Sequence, residues 1–116
     1  MSAVPDAVPG IDVHEARSLV GAGAVLLDVR EHHEWDAGRA PEAVHLPLGQ
    51  VESNLGQVTR SRRVVVTCRS GRRSAVAVGL LRAAGVDALN LDGGMQAWHA
   101  AGAPVVADAG VSPAVI

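Results

Sequence analysis

The run Val64-Val65-Val66-Thr67-Cys68-Arg69-Ser70-Gly71-Arg72-Arg73-Ser74 passes abruptly from β-branched residues to a basic, glycine-containing loop. A short β-branched run bounded by charges reads as a parallel strand buried on both faces. The Ala/Val/Leu-rich stretch from Ser74 to Ala84 reads as a helix, with Ser74 as its N-cap. In open α/β sheets the reactive crevice lies at the carboxyl ends of the strands, and Cys68 stands at that end. The helix aims its unpaired amide groups and positive dipole end back at the loop, where they stabilise a thiolate or a bound anion. Three arginines and a glycine within five residues are poor core material. They are the electropositive surroundings that lower a thiol pKa, so Cys68 reads as a nucleophile rather than a small core hydrophobe.

Outward from this run the chain punctuates cleanly. Residues 1–10, with two prolines and a glycine, read as an extended lead-in. Asp12 with Glu15 forms a capping-box pattern, and Val13, Ala16, Leu19 and Val20 recur at helical spacing until Gly21-Ala22-Gly23. Ala24 to Val29 reads as a buried strand and Glu31 to Trp35 as a short helix. Val44 to Leu46 is a short strand before Pro47, and Leu48 to Val58 a loosely helical connection. The strand before the loop starts at Arg63, and Ala88 to Leu91 is the last strand. Met95, Trp98 and Ala101 mark an apolar helix face, while the tail, residues 105–116, has no pattern. No internal repeat is present, so a tandem two-domain form is excluded.

Three strings, LLDVREHHEWDAG, VVVTCRSGRRS and LNLDGGMQAW, together resemble a single-domain rhodanese, a sulfurtransferase of the rhodanese homology class. The resemblance covers residues 11–104. It implies a rhodanese-like α/β fold, a five-stranded parallel sheet flanked by helices on both faces. It also implies a cysteine that takes sulfane sulfur from a donor, holds it as a persulfide and passes it to a nucleophile. Cys68 falls on that cysteine, and Arg69, Ser70, Gly71, Arg72 and Arg73 on the substrate-binding loop around it. Phosphatases of related architecture place an arginine six residues after the cysteine, where this chain has Ser74. The shorter loop, ending at Arg73, goes in the resemblance with a cradle sized for sulfur, whereas phosphate or arsenate needs a wider ring of amide groups. Phosphatase and arsenate-reductase readings rank below sulfur transfer for that reason. The chain departs from the family's Gly-His-Ile-Pro-Gly-Ala pattern at Gly38-Arg39-Ala40-Pro41-Glu42-Ala43, which changes charge at a turn expected beside the crevice.

Within the loop, Gly71 is expected to permit positive φ and a close backbone approach. Arg69, Arg72 and Arg73 attract an anionic donor such as thiosulfate, or Arg73 braces the loop against a carboxylate; the sequence leaves open which arginine faces the sulfur. Ser70 is a candidate hydroxyl donor. With no second thiol the chain cannot resolve a persulfide as an internal disulfide. The sulfur therefore leaves to an external acceptor: cyanide, a small thiol or a protein. A sulfur-carrier or docking module with a protein acceptor is the alternative reading. The intact cysteine and basic loop argue against a non-catalytic binding domain.

Composition limits the remaining classes. A chain of 116 residues, 48% of them hydrophobic, suits one domain with a modest aliphatic core. Trp35 and Trp98 are the only Phe, Tyr or Trp residues and the net charge is −2, which argues against nucleic-acid binding. Arg60 to Arg73 nonetheless carries six arginines and no acid, a patch that fits the approach of an anion, with Arg60 and Arg62 read as solvated. No apolar segment is long enough for a membrane helix and no signal peptide is evident, so a cytoplasmic location without membrane association is expected. Asp28 and Arg30 are expected to tie neighbouring loops, and Asp92 to cap the final helix. His32 and His33 are adjacent and on a helix point to different sides, and His14, His45 and His99 are isolated, so neither a metal nor a cofactor is expected. No long heptad pattern indicates an oligomer.

Overall fold

A parallel strand covered by helices on both faces needs apolar side chains at successive positions, and β4 (Val64–Thr67) supplies them, all four residues being buried. In the computed structural model, which describes residues 8–116, β4 is the centre of a five-stranded, wholly parallel sheet. The other strands are β1 (Gly10–Ile11), β2 (Val25–Asp28), β3 (Val44–His45) and β5 (Ala88–Leu91), in the order β1-β5-β4-β2-β3. The helices are α1 (Val13–Gly21), α2 (His32–Ala37), α3 (Leu48–Val51), α4 (Arg72–Ala83) and α5 (Gly94–Ala100), with a 3₁₀ segment at Glu52–Gln57.

Strand alternation divides the core into two layers. Val64 and Val66 meet Val51 of α3 and Ala77, Val78 and Leu81 of α4. Val65 faces the opposite side, with Ala16 of α1 and Met95 and Trp98 of α5. Each fully buried valine contributes about 1.5–3 kcal/mol of transfer free energy, so these two layers are the main apolar reason the sheet holds. Helices thus cover both faces, as the family resemblance implied. Among the described residues no helix is long and apolar enough to cross a membrane.

Four strands lie where the sequence puts them, within a residue or two. The fifth, β1, straddles the end of the expected lead-in, where no strand is expected: Gly10 pairs with Asn90 and Ile11 with Leu91. A two-residue strand has no periodicity to read, and its sheet position comes from its partner. Residues 1–7 of the lead-in lie outside the described residues.

The tail is also more organised than its sequence indicates. Arg39 and Val106 form an antiparallel bridge, exchanging N–H···O bonds of 2.9 and 2.8 Å. The Arg39 guanidinium pairs with Asp108, and the Ala114 N–H donates to the Ala37 carbonyl at 2.8 Å. Gly38 has no room for a Cβ, because the Ala114 backbone lies against it. The turn expected beside the crevice therefore departs from that expectation: Arg39 is turned toward the tail, while exposed Glu42 lies near Gly23, Ala24 and Arg62 at the amino ends of the strands.

Candidate active site

Cys68 follows β4 directly and is 1% exposed, at the foot of a loop that turns straight into α4. Gly71 makes the turn with φ +97°, and is itself the N-cap of α4. Any other residue would be strained there. The Gly71 N–H then donates to Cys68 Sγ at 3.1 Å. Helix α4 begins at Arg72, two residues earlier than the sequence suggests, so Ser74 is not its N-cap. The glycine, by taking the left-handed conformation, starts the helix sooner and carries Ser74 into its first turn. There the buried hydroxyl lies 3.4 Å from Sγ and donates to Asn90 Oδ1 at 2.6 Å.

Burial raises the thiol pKa, but the Ser74 hydroxyl and the backbone N–H groups of Ser74, Gly71 and Ser70 outweigh it and bring Cys68 below the ordinary thiol range. Ser70 acts through this backbone group. Its side chain is exposed and has no hydrogen-bond partner among the described residues, so the hydroxyl itself does not reach Cys68 Sγ.

The three loop arginines do different things. Arg73 forms a bidentate pair with Glu34, at 2.7 and 2.8 Å, and thereby ties α4 to α2. That hydrogen bond is the main reason the Glu34 carboxyl is lowered from 4.5 to about 2, against its burial. It also raises Arg73 further. Arg69 is exposed and donates from Nε to the Ile116 backbone oxygen at 3.0 Å. Arg72 is exposed and has no hydrogen-bond or ion-pair partner among the described residues. The basic stretch seen in the sequence is therefore split. A four-residue strand, roughly 13 Å long at about 3.3 Å per residue, separates Arg60, Arg62 and Arg63 from the loop. Arg60 is not merely solvated but donates to the Ala84 carbonyl at 2.9 Å, and Arg63 pairs with Asp87.

Neighbouring elements brace the cradle. Asp28 and Arg30 are wholly buried and joined by a 2.7 Å ion pair, and Arg30 also donates to the Gly38 carbonyl at 2.7 Å. The register that places Asp28 opposite Thr67 sets this network beside the loop. From the other side, the Met95 N–H donates to the Cys68 carbonyl at 2.7 Å and the Gln96 N–H to the Arg69 carbonyl at 3.0 Å. Gly94, at φ +56°, allows this approach, since a Cβ there would lie 2.5 Å from the Cys68 oxygen. Asp92 does not cap α5, whose N-cap is Gly93. It accepts instead from Asn90 Nδ2 at 3.4 Å.

Two residues at the site, Glu34 and Asn90, carried no role in the sequence reading. Asn90 does leave a signal, as a polar residue between Leu89 and Leu91 in a strand, where asparagine is disfavoured. Glu34 leaves none, because a buried acid in an acidic, histidine-rich segment looks like any solvated helix residue. His45, read as isolated, stacks on Trp35 with ring centroids 4.7 Å apart and bonds the Arg30 carbonyl through Nε2. Among the described residues no three His, Cys, Asp or Glu side chains gather as they would around a metal ion. A groove of about 350 Å³ along edge strand β3, lined in part by Val44, Leu46, Val58 and Arg62, includes none of the loop residues.

The sequence matches the rhodanese-like domain family over residues 12–101. It is 38% identical over 87 residues to a sulfurtransferase of Allochromatium vinosum, covering 74% of this chain and 81% of that protein. It is 39% identical over 87 residues to an HTH-type transcriptional regulator of Mycobacterium tuberculosis, covering 72% of this chain but 38% of the regulator. Among solved structures, a rhodanese-related protein of Thermoplasma volcanium superposes with a TM-score of 0.80 at 30% identity, covering 84% of this chain and 97% of that one.

Proposed function

This chain belongs to the rhodanese-like domain family, and from that membership and the cradle around Cys68 we propose that it is a sulfurtransferase working through a Cys68 persulfide. The thiolate attacks the outer sulfur of an anionic donor such as thiosulfate. An S–S bond forms to Sγ, the donor's own S–S bond breaks, and sulfite leaves with the electron pair. A thiophilic acceptor, namely cyanide, a thiol or a partner protein's cysteine, then takes the outer sulfur, and its bond to Sγ returns the electron pair to Cys68. The Gly71 N–H is already placed to hold negative charge on the thiolate sulfur.

The observation that carries this reading is the convergence of the Gly71 N–H, at 3.1 Å, and the Ser74 hydroxyl, at 3.4 Å, on one buried sulfur at a strand's carboxyl end. Phosphoryl transfer is supported less well. Both terminal nitrogens of Arg73 are engaged by Glu34, and the position where a wider loop would carry its arginine is the buried Ser74.

Intact-mass spectrometry after incubation with thiosulfate tests the proposal. The expected result is a gain of one sulfur atom that cyanide removes as thiocyanate, and its absence in Cys68→Ser, which should fold normally. Sulfur loading or thiosulfate turnover that survives in Cys68→Ser rules the mechanism out.

A further inference from the structure

Ser74 has a single hydroxyl proton and stands between two atoms that can accept it, Asn90 Oδ1 at 2.6 Å and Cys68 Sγ at 3.4 Å. The Asn90 amide can face only one way. Its nitrogen lies 3.1 Å from the Gly71 carbonyl and 3.4 Å from Asp92 Oδ1, both acceptors, so the amide oxygen is the atom left to face Ser74. That oxygen has no proton to give, so the proton in the short contact belongs to Ser74. While it points at Asn90, the sulfur meets a Ser74 lone pair, an arrangement that suits a thiol donating S–H to Oγ and not a thiolate.

We propose that Asn90 is a positioning residue for Cys68: its amide oxygen draws the Ser74 hydroxyl proton, so that Ser74 hydrogen-bonds a charged sulfur only by giving up Asn90. When the thiol ionises, its proton passes to solvent base and the Ser74 hydroxyl rotates to donate to Sγ. Asn90 Oδ1 is then left without that donor in a site where Ser74 is wholly buried and Asn90 7% exposed, and an unpaired buried acceptor opposes the change. Ionisation of Cys68 and reorientation of Ser74 are one coupled event, and Asn90 sets its balance toward the thiol. The consequence for turnover rests on the sulfur-transfer reading, but the coupling itself does not.

The test is therefore made on the thiol and not on sulfur transfer. The pH dependence of iodoacetamide alkylation of Cys68 is measured in the full chain, for the natural sequence, Asn90→Leu, Ser74→Ala and the double variant. Asn90→Leu is expected to move the thiol titration to lower pH and to speed alkylation on its acid side about three- to tenfold. Ser74→Ala should move it upward, and adding Asn90→Leu to Ser74→Ala should change nothing further. A merely structural role for Asn90 predicts the same shift in both backgrounds, and that result overturns the proposal, as does an unchanged or raised titration in Asn90→Leu alone. In the unmutated protein the Asn90 side-chain amide resonances should titrate together with Cys68 alkylation. Resonances that stay flat through that range overturn it equally. Failure to load sulfur from thiosulfate, with these titrations as expected, would reject the proposed function and leave the coupling standing.

Discussion

Replacing Glu34 by glutamine removes the carboxylate that, through Arg73, holds α4 to α2. In the folded protein the bidentate Arg73 pair keeps the Glu34 carboxyl at about 2, against 4.5 for the free side chain. At about 1.4 kcal/mol for each tenfold change in proton affinity, that depression is worth about 3–4 kcal/mol at neutral pH. The Arg73 side chain is 35% exposed, so solvent screening reduces the figure to about 2 kcal/mol. Because the folded carboxyl is depressed, its stabilisation is complete above the free value of 4.5 and fades as pH falls toward 2. Urea unfolding of the natural protein and Glu34→Gln should therefore differ by about 2 kcal/mol at pH 7, and by less than half as much at pH 3. Taking the difference between the two proteins cancels the titration of every other carboxylate. A gap as large at pH 3 as at pH 7, or none at pH 7, would refute the assignment of the depressed carboxyl to this pair.

Two further substitutions probe the packing around the loop. Gly94→Ala places a Cβ 2.5 Å from the Cys68 carbonyl oxygen in a left-handed conformation, so it should cost about 1–3 kcal/mol by the strain of that conformation and slow Cys68 alkylation at neutral pH; an unchanged alkylation rate counts against the α5 brace. Gly38→Val drives its side chain into the Ala114 backbone. Hydrogen exchange at the Ala114 amide should then rise at least tenfold, and an unchanged exchange rate means that the tail is not seated on Gly38.

What the sequence discloses and what it withholds follow from the range of the interactions. β4, Cys68 and Gly71 are legible because each is a local pattern, respectively an apolar run, a residue at its end and a glycine where the chain must turn. The start of α4 is misread for an equally local reason. Serine is the commoner cap, but Gly71 at φ +97° satisfies the turn first and frees Ser74 for the sulfur. Glu34 and Asn90 are 39 and 16 residues from the loop groups they bond, and no spacing within one element links them. The tail is opaque in the same way, since its order comes from Arg39, Ala37 and Arg69 and not from its own periodicity.

The division among the loop arginines bears on what holds the anion. If all three pointed at the sulfur, the cradle would be a cluster of like charges whose mutual repulsion the fold would have to oppose. Instead Arg73 is matched by Glu34, and Arg69 is turned to the Ile116 backbone oxygen at 3.0 Å. Arg72, exposed at the first turn of α4, is the loop cation with no partner among the described residues. Under the proposed function, charge on the sulfur is met at short range by the Ser74 hydroxyl and by backbone groups such as the Gly71 N–H, while Arg72 and the amino end of α4 act at longer range on an approaching donor. The two roles respond differently to salt, because a field reaching out from an exposed guanidinium is screened over about 8–10 Å at physiological ionic strength, and a part-buried N–H···S contact at 3.1 Å is screened far less. Under the proposed function, added salt therefore weakens donor capture and leaves the persulfide's own stability in place.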